Sequence, residues 1–139
     1  MDYASQPSRA VISFCAVNNI PYEVKETRIA KGENRAKDYL KINPMGQVPA
    51  MVEGDFVVCE SHTILRYLAT TKGAPAHWYP IDPKKRAMVD QYLDWHHGFL
   101  RRGAAGLVFG KLFAPMLLGK PASDDDLKLA ERLLKKSLN

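Results

Sequence analysis

Cysteine is scarce in this 139-residue chain: there are two, Cys15 and Cys59, far apart in sequence. They form no C-x-x-C pair, which argues against a redox dithiol or a cysteine-based zinc knuckle. The plain reading is two small apolar residues in the interior. Long hydrophobic runs are also lacking, so no bilayer-spanning helix is predicted, and no signal-peptide pattern precedes the first helix. Aromatic residues do not interleave with the basic clusters Lys84-Lys85-Arg86, Arg101-Arg102 and Lys135-Lys136. That argues against a nucleic-acid surface, and the clusters read as solvated helix faces. The expectation is a cytoplasmic protein in a reducing setting, with no nucleic-acid and no membrane partner.

What is present suffices for a packed core. Hydrophobic residues make up 46% of the chain and charged residues 25%, with a net charge of +5. Ala10–Asn18 places Val11, Phe14 and Cys15 at helical spacing. Tyr22–Glu26 alternates as a strand does. Arg35–Ile42 reads as a short helix stopped by Asn43-Pro44. Two short apolar runs, within Gly46–Val52 and Phe56–Cys59, flank a turn containing Gly54 and predict a β-hairpin. Ser61 is placed to cap a helix carrying Ile64, Leu65 and Leu68. Gly73-Ala74-Pro75-Ala76 then breaks the pattern.

The second half reads as all-helical. Met88, Tyr92, Trp95 and Phe99 share one face after Pro83, with breaks expected at Pro115 and at Gly119-Lys120-Pro121. Ser123 caps a last helix, Asp124–Leu138, whose acidic start and basic end suit the helix dipole.

The hexapeptide Ser5-Gln6-Pro7-Ser8-Arg9-Ala10 carries the first chemical signal. Pro7 fits a first helical turn, where its missing N–H costs nothing. Ser5 then sits at the helix mouth, where unpaired amides and the dipole favour an anion. A hydroxyl there can stabilise a thiolate that it does not itself carry. An ordinary helix cap explains the same serine, and a strand-edge proline explains Pro49 equally well. Ser61 can serve as cap and ligand together, because a cap leaves other amides open. His62, His96 and His97 lack a spaced carboxylate partner, so no metal site is expected.

The order of these elements, with S-Q-P-S-R-A, N-P-M-G-Q-V-P-A and E-S-H-T-I-L-R-Y-L, resembles the cytosolic glutathione transferases. The serine motif, Trp78-Tyr79-Pro80 and Asp94-Trp95-His96-His97 look most like the theta class. The resemblance implies an α/β thioredoxin-like domain over residues 1–73 with a short first strand, a linker over 74–81, and a partial all-α domain over 82–139. It implies that Ser5 hydrogen-bonds the sulfur of glutathione, the co-substrate, and that Gln6 follows it as in relatives. Val48 precedes a proline held cis in the family and would pair with the cysteinyl part of glutathione. Gln47 occupies a neighbouring contact. Glu60 and Ser61 match the pair gripping the γ-glutamyl end. Asn34 stands where theta enzymes often carry a histidine for the glycyl carboxylate, and Arg35 beside it compensates for the lost charge.

The implied reaction is attack of the glutathione thiolate on a small electrophile, with glutathione-dependent peroxidase activity on the side. The implied assembly is a homodimer. Family members carry a longer helical domain, and only Met1 to Ala4 precede Ser5 where a first strand is expected, so the sequence reads as truncated at both ends. A catalytically weak or inactive binding module is the alternative that this shortening raises.

Overall fold

The computed structural model describes residues 1–139, apart from the side chain of Leu117. The chain divides into two compact units, Met1–Ile81 and Asp82–Asn139.

The first unit is a small thioredoxin-like α/β domain. Helix α1 spans Gln6–Val17, capped by Ser5, whose Oγ accepts the Ser8 N–H at 3.4 Å. It begins well before Ala10 because Ser5 satisfies an orphan amide and Pro7 is preset for the first turn. It ends at Asn18, whose Nδ2 donates to the Phe14 carbonyl at 2.9 Å, and Asn19 then turns into left-handed backbone with φ 54°. A short helix α2 covers Lys37–Ile42. Strands β1, Ala50–Glu53, and β2, Phe56–Cys59, form an antiparallel hairpin in the register Ala50 to Cys59 and Glu53 to Phe56. That register leaves Gly54 and Asp55 as a two-residue turn, and Gly54 supplies the positive φ such turns require. Helix α3, Ser61–Thr71, follows β2 with Glu60 alone between them.

The core of this unit is the contact of α1 with α3. Val11, Phe14 and Cys15 meet Ile20, Ile64 and Leu68, and Ile64 is wholly buried. Each such aliphatic side chain contributes about 1.5–3 kcal/mol by leaving water. Phe14 also meets Trp78 edge-to-face, with centroids 5.3 Å apart, which ties the segment after α3 to α1.

Two expectations change in this unit. Tyr22–Glu26 forms no strand. Alternation makes a strand only where a neighbour supplies the ladder. Here the backbone bonds run to Met1, whose terminal amine donates to the Lys25 carbonyl while the Thr27 N–H donates to the Met1 carbonyl at 2.7 Å. Ser61 is the first helical residue of α3, not its cap, because Glu60 leaves β2 and enters the helix in one step.

The second unit is all-helical. Helix α4, Pro83–Trp95, is capped by Asp82, whose Oδ1 accepts the Lys85 N–H at 2.8 Å. It runs through a wide π-type turn, His96–Leu100, into α5, Arg101–Val108. A second wide turn, Phe109–Phe113, leads to α6, Ala114–Leu118. The break expected at Pro115 is absent. The wide turn ends just before it, so Pro115 falls in the first turn of α6, where no N–H is needed. Gly119, with φ 68°, ends the path. Helix α7 runs Asp124–Leu138, capped by Ser123, whose Oγ accepts the Asp126 N–H at 3.2 Å.

Within this unit α5 packs on α7 at backbone distance. A Cβ on Gly103 would lie 2.5 Å from the Leu134 nitrogen. The expected apolar face of α4 stays largely exposed, at 65% for Met88 and 56% for Tyr92, because the interior of the unit forms between α5 and α7.

Candidate functional site

The end of the hairpin gathers most of the predicted residues. Ala50 pairs with Cys59, so Val48-Pro49 and Glu60-Ser61 leave the two strands side by side at the same end. The Val48–Pro49 peptide bond is cis, as the resemblance implied. Val48 is buried, Glu60 is exposed and Ser61 is buried.

Glu60 carries backbone that its side chain disfavours, with φ 66° and ψ 113°. A non-glycine residue held there costs on the order of 1–3 kcal/mol, and such outliers gather at functional sites. Its side chain makes no capping bond to α3. The first amides of α3 are therefore not taken up by that cap, and the positive end of the helix lies at this point.

A hydrogen-bonded loop joins Asn34 and Arg35 to the same place. Asn34 is buried, and its Nδ2 donates to the Gly46 carbonyl at 2.7 Å. Tyr39 Oη and Asn43 Nδ2 both donate to the Gln47 carbonyl, at 2.7 and 2.8 Å. The Met45 N–H donates back to Asn43 Oδ1 at 3.1 Å. Burial, with Cys59 adding to it, pushes the Tyr39 phenol up to about 12, so it stays a donor at any physiological pH. Gly46 has φ 62°, and a Cβ there would meet the Asn34 carbonyl at 3.0 Å and Arg35 Nη1 at 3.1 Å. The close approach therefore sets Arg35 against the loop that leads into Val48.

Ser5 and Gln6 stand at the mouth of α1 and relate to this group through the packing of α1 on α3. Gln6 is exposed and Ser5 half-buried. The segment entering Ser5 is tied down on both sides. Asp2 Oδ1 accepts the Ala4 N–H and Asp2 Oδ2 accepts the Ile29 N–H, each at 2.8 Å. Arg9 Nη1 donates to the carbonyls of Tyr3 and Ala4, at 2.8 and 3.0 Å.

The two thiols do not fit nucleophilic roles. Burial raises the pKa of Cys15, and burial with Glu60 raises that of Cys59. No group of three or more potential metal ligands occurs among the described residues. No helix is long and apolar enough to cross a membrane.

Residues 5–70 match the family model "Glutathione S-transferase, N-terminal domain". The Arabidopsis thaliana protein glutathione S-transferase T1 is 47% identical over 139 residues, which is 99% of this chain and 56% of the relative. Mouse glutathione S-transferase theta-1 is 42% identical over 127 residues, covering 91% of this chain and 53% of the relative. Residues 5–70 carry the N-terminal domain of the glutathione S-transferase family.

Theta-class proteins recur among the curated relatives and the solved structures that this chain resembles. Human glutathione transferase theta-2, solved with glutathione and an unknown ligand, superposes with a TM-score of 0.92 at 35% identity, covering 99% of this chain and 56% of that one. The human theta-class enzyme bound to the glutathione conjugate of 1-menaphthyl sulfate superposes with a TM-score of 0.91, covering 99% of this chain and 56% of that one. The chain spans about half the length of the curated relatives it matches.

The sequence reading missed Asp2, Arg9, Tyr39 and Asn43. Asn43 read only as a helix stop before Pro44. An asparagine at such a stop can also fold its side chain onto nearby backbone, which is the signal that marked it. Arg9 and Asp2 act over contacts that sequence spacing alone does not announce.

Proposed function

We propose that this chain is a transferase that binds glutathione and joins its sulfur to small electrophiles. The observation carrying this reading is the shared hairpin end, where the cis bond at Val48-Pro49 stands beside Glu60-Ser61. The edge of Val48 is suited to pair with the cysteinyl backbone of glutathione as an added strand. Ser61 and the first amides of α3 receive the γ-glutamyl α-carboxylate, and Glu60 meets its ammonium. Gln47 lies along the same edge, and Gln6 borders Ser5. Arg35 takes the glycyl carboxylate. Asn34 supports it, with one amide proton on Gly46 and a second to give.

In the reaction the glutathione thiol loses its proton and the thiolate attacks the electrophilic carbon. A carbon–sulfur bond forms as the leaving group departs with its bonding pair. A free thiol is mostly protonated at neutral pH, so the step depends on a lowered thiol pKa. Ser5 Oγ accepts from Ser8, which leaves its own proton to donate to the sulfur. The mouth of α1 adds a favourable field. Serine forms no covalent intermediate here, and the scheme uses no metal. Organic peroxides are a second electrophile class for the same thiolate. We take residues 1–73 as the glutathione-binding domain, 74–81 as linker and 82–139 as helical domain, acting in the cytoplasm as a homodimer.

Turnover of alkyl halides with glutathione tests this reading, using Ser5→Ala and Ser5→Asp. Aspartate caps a helix as well as serine does but repels a thiolate. Both variants should lose about tenfold or more in kcat/KM, while Ser5→Asp melts as the parent does. Parent-like turnover in either variant refutes the role of Ser5. Absence of turnover in the folded parent refutes the reading itself.

A further inference from the structure

We infer that Arg9 is a positioning residue, whose guanidinium clamps the backbone carrying Ser5 and so sets the Ser5 hydroxyl toward the sulfur of glutathione. The inference rests on the reading of Ser5 given above. Arg9 Nη1 reaches the two carbonyls immediately before Ser5, those of Tyr3 and Ala4, at 2.8 and 3.0 Å. The Arg9 main chain holds the other side, because its N–H donates to the Ser5 carbonyl at 3.0 Å. One residue therefore grips the chain before and after the hydroxyl.

The clamp matters because packing does little here. Tyr3 is 57% exposed, and Ala4 is exposed as well. Polar ties hold the stretch: the Arg9 pair, the Asp2 carboxylate on the Ala4 N–H, and the Ser5 N–H donating to the Asp2 carbonyl at 3.1 Å. The bond from Ser8 to Ser5 Oγ is long, at 3.4 Å, and holds the hydroxyl loosely. Rotation of the Ala4–Ser5 peptide would swing the Ser5 side chain away from its partner. A misplacement near 1 Å costs on the order of a hundredfold in a positioned reaction. Arginine suits the task because its guanidinium is a rigid, planar donor, whereas lysine offers a mobile point charge.

The test uses the full chain as Arg9→Met and Arg9→Lys. It follows the ultraviolet absorbance of bound glutathione thiolate against pH, with kcat, KM and a thermal melt beside it. In Arg9→Met the apparent pKa of the bound thiol should rise by about one unit, so the thiolate fraction below that pKa falls about tenfold. KM for glutathione should stay within about twofold of the parent, since the peptide's binding contacts lie elsewhere. Arg9→Lys keeps the charge without the two-carbonyl grip and should recover only part of the loss.

Full recovery in Arg9→Lys would mean that charge alone acts, and would overturn the inference. So would a bound thiol that ionises in Arg9→Met as in the parent, with the Ser5 reading left standing. A lowered melt and raised KM with no change in thiol ionisation would make Arg9 a structural residue, again against the inference. If the folded parent neither binds nor ionises glutathione, the underlying reading fails first.

Discussion

Gly103 is where adding one methyl group should do most harm. It faces α7 from α5, and a Cβ there would sit 2.5 Å from the Leu134 nitrogen and 2.9 Å from both the Leu134 Cα and the Ala130 carbonyl. All three are backbone atoms of a helix, so no side chain can swing aside. Ordinary contact begins near 3.4 Å, and Gly103→Ala therefore forces the helices apart by most of an ångström. A gap of about 0.5–1 Å forfeits a quarter to a half of each dispersion contact along the interface. That interface includes Gly106 against Ala130 and Gly110 against Leu127, so the loss spreads along it. Overpacking of this kind costs about 1–3 kcal/mol, and the better helix propensity of alanine returns up to about 1. The net expectation is a destabilisation of about 1–2 kcal/mol, read as a melting temperature lower by about 5 °C or more. Gly98→Ala is the matched control in the same helical path, since nothing lies within 4 Å of a Cβ there. It should melt at or slightly above the parent. A Gly103→Ala variant that melts with Gly98→Ala would refute the close packing of α5 on α7.

Glu60→Gly should split stability from binding: glycine accepts φ 66° without strain, so the variant gains about 1 kcal/mol in urea titration while its glutathione affinity falls. A variant less stable than the parent would show that Glu60 is not strained. The imidazole of His96 is pushed below its ordinary value by burial first, then by Arg101 and His97. The unfolded chain therefore binds more protons near neutrality, and stability must fall as pH drops through the unfolded histidine value of about 6.5. His96→Gln should flatten that loss between about pH 7.5 and 5.5, and an unchanged slope would count against it. The lowered carboxyls of Glu53 and Glu131 also lose their contribution as pH falls, but below the ordinary carboxylate value, outside this window.

Local signals were legible where one side chain decides the matter. Ser123 with three aspartates behind it marks the start of α7, and Gly54 marks the hairpin turn. The hairpin in turn places Val48-Pro49 beside Glu60-Ser61, so that part of the site follows from pattern and register together. What stayed hidden depends on neighbours. Tyr22–Glu26 alternates correctly, yet a strand needs a ladder partner that alternation does not supply. Pro115 usually ends a helix, and only the wide turn before it makes room for the helix to continue. Nothing in the local pattern around Gly103 and Gly110 announces the close approach of α7. Asn34 and Arg35 read as ligands, while the Gly46 carbonyl that Asn34 binds is twelve residues away.

The most direct test of the glutathione site is a calorimetric titration of the 139-residue chain with glutathione, beside Ser61→Ala. One glutathione should bind per folded chain, with an affinity at least about tenfold weaker in the variant, the loss of a charge-assisted bond. No binding to a cooperatively melting parent would contradict this, and so would an unchanged affinity in Ser61→Ala.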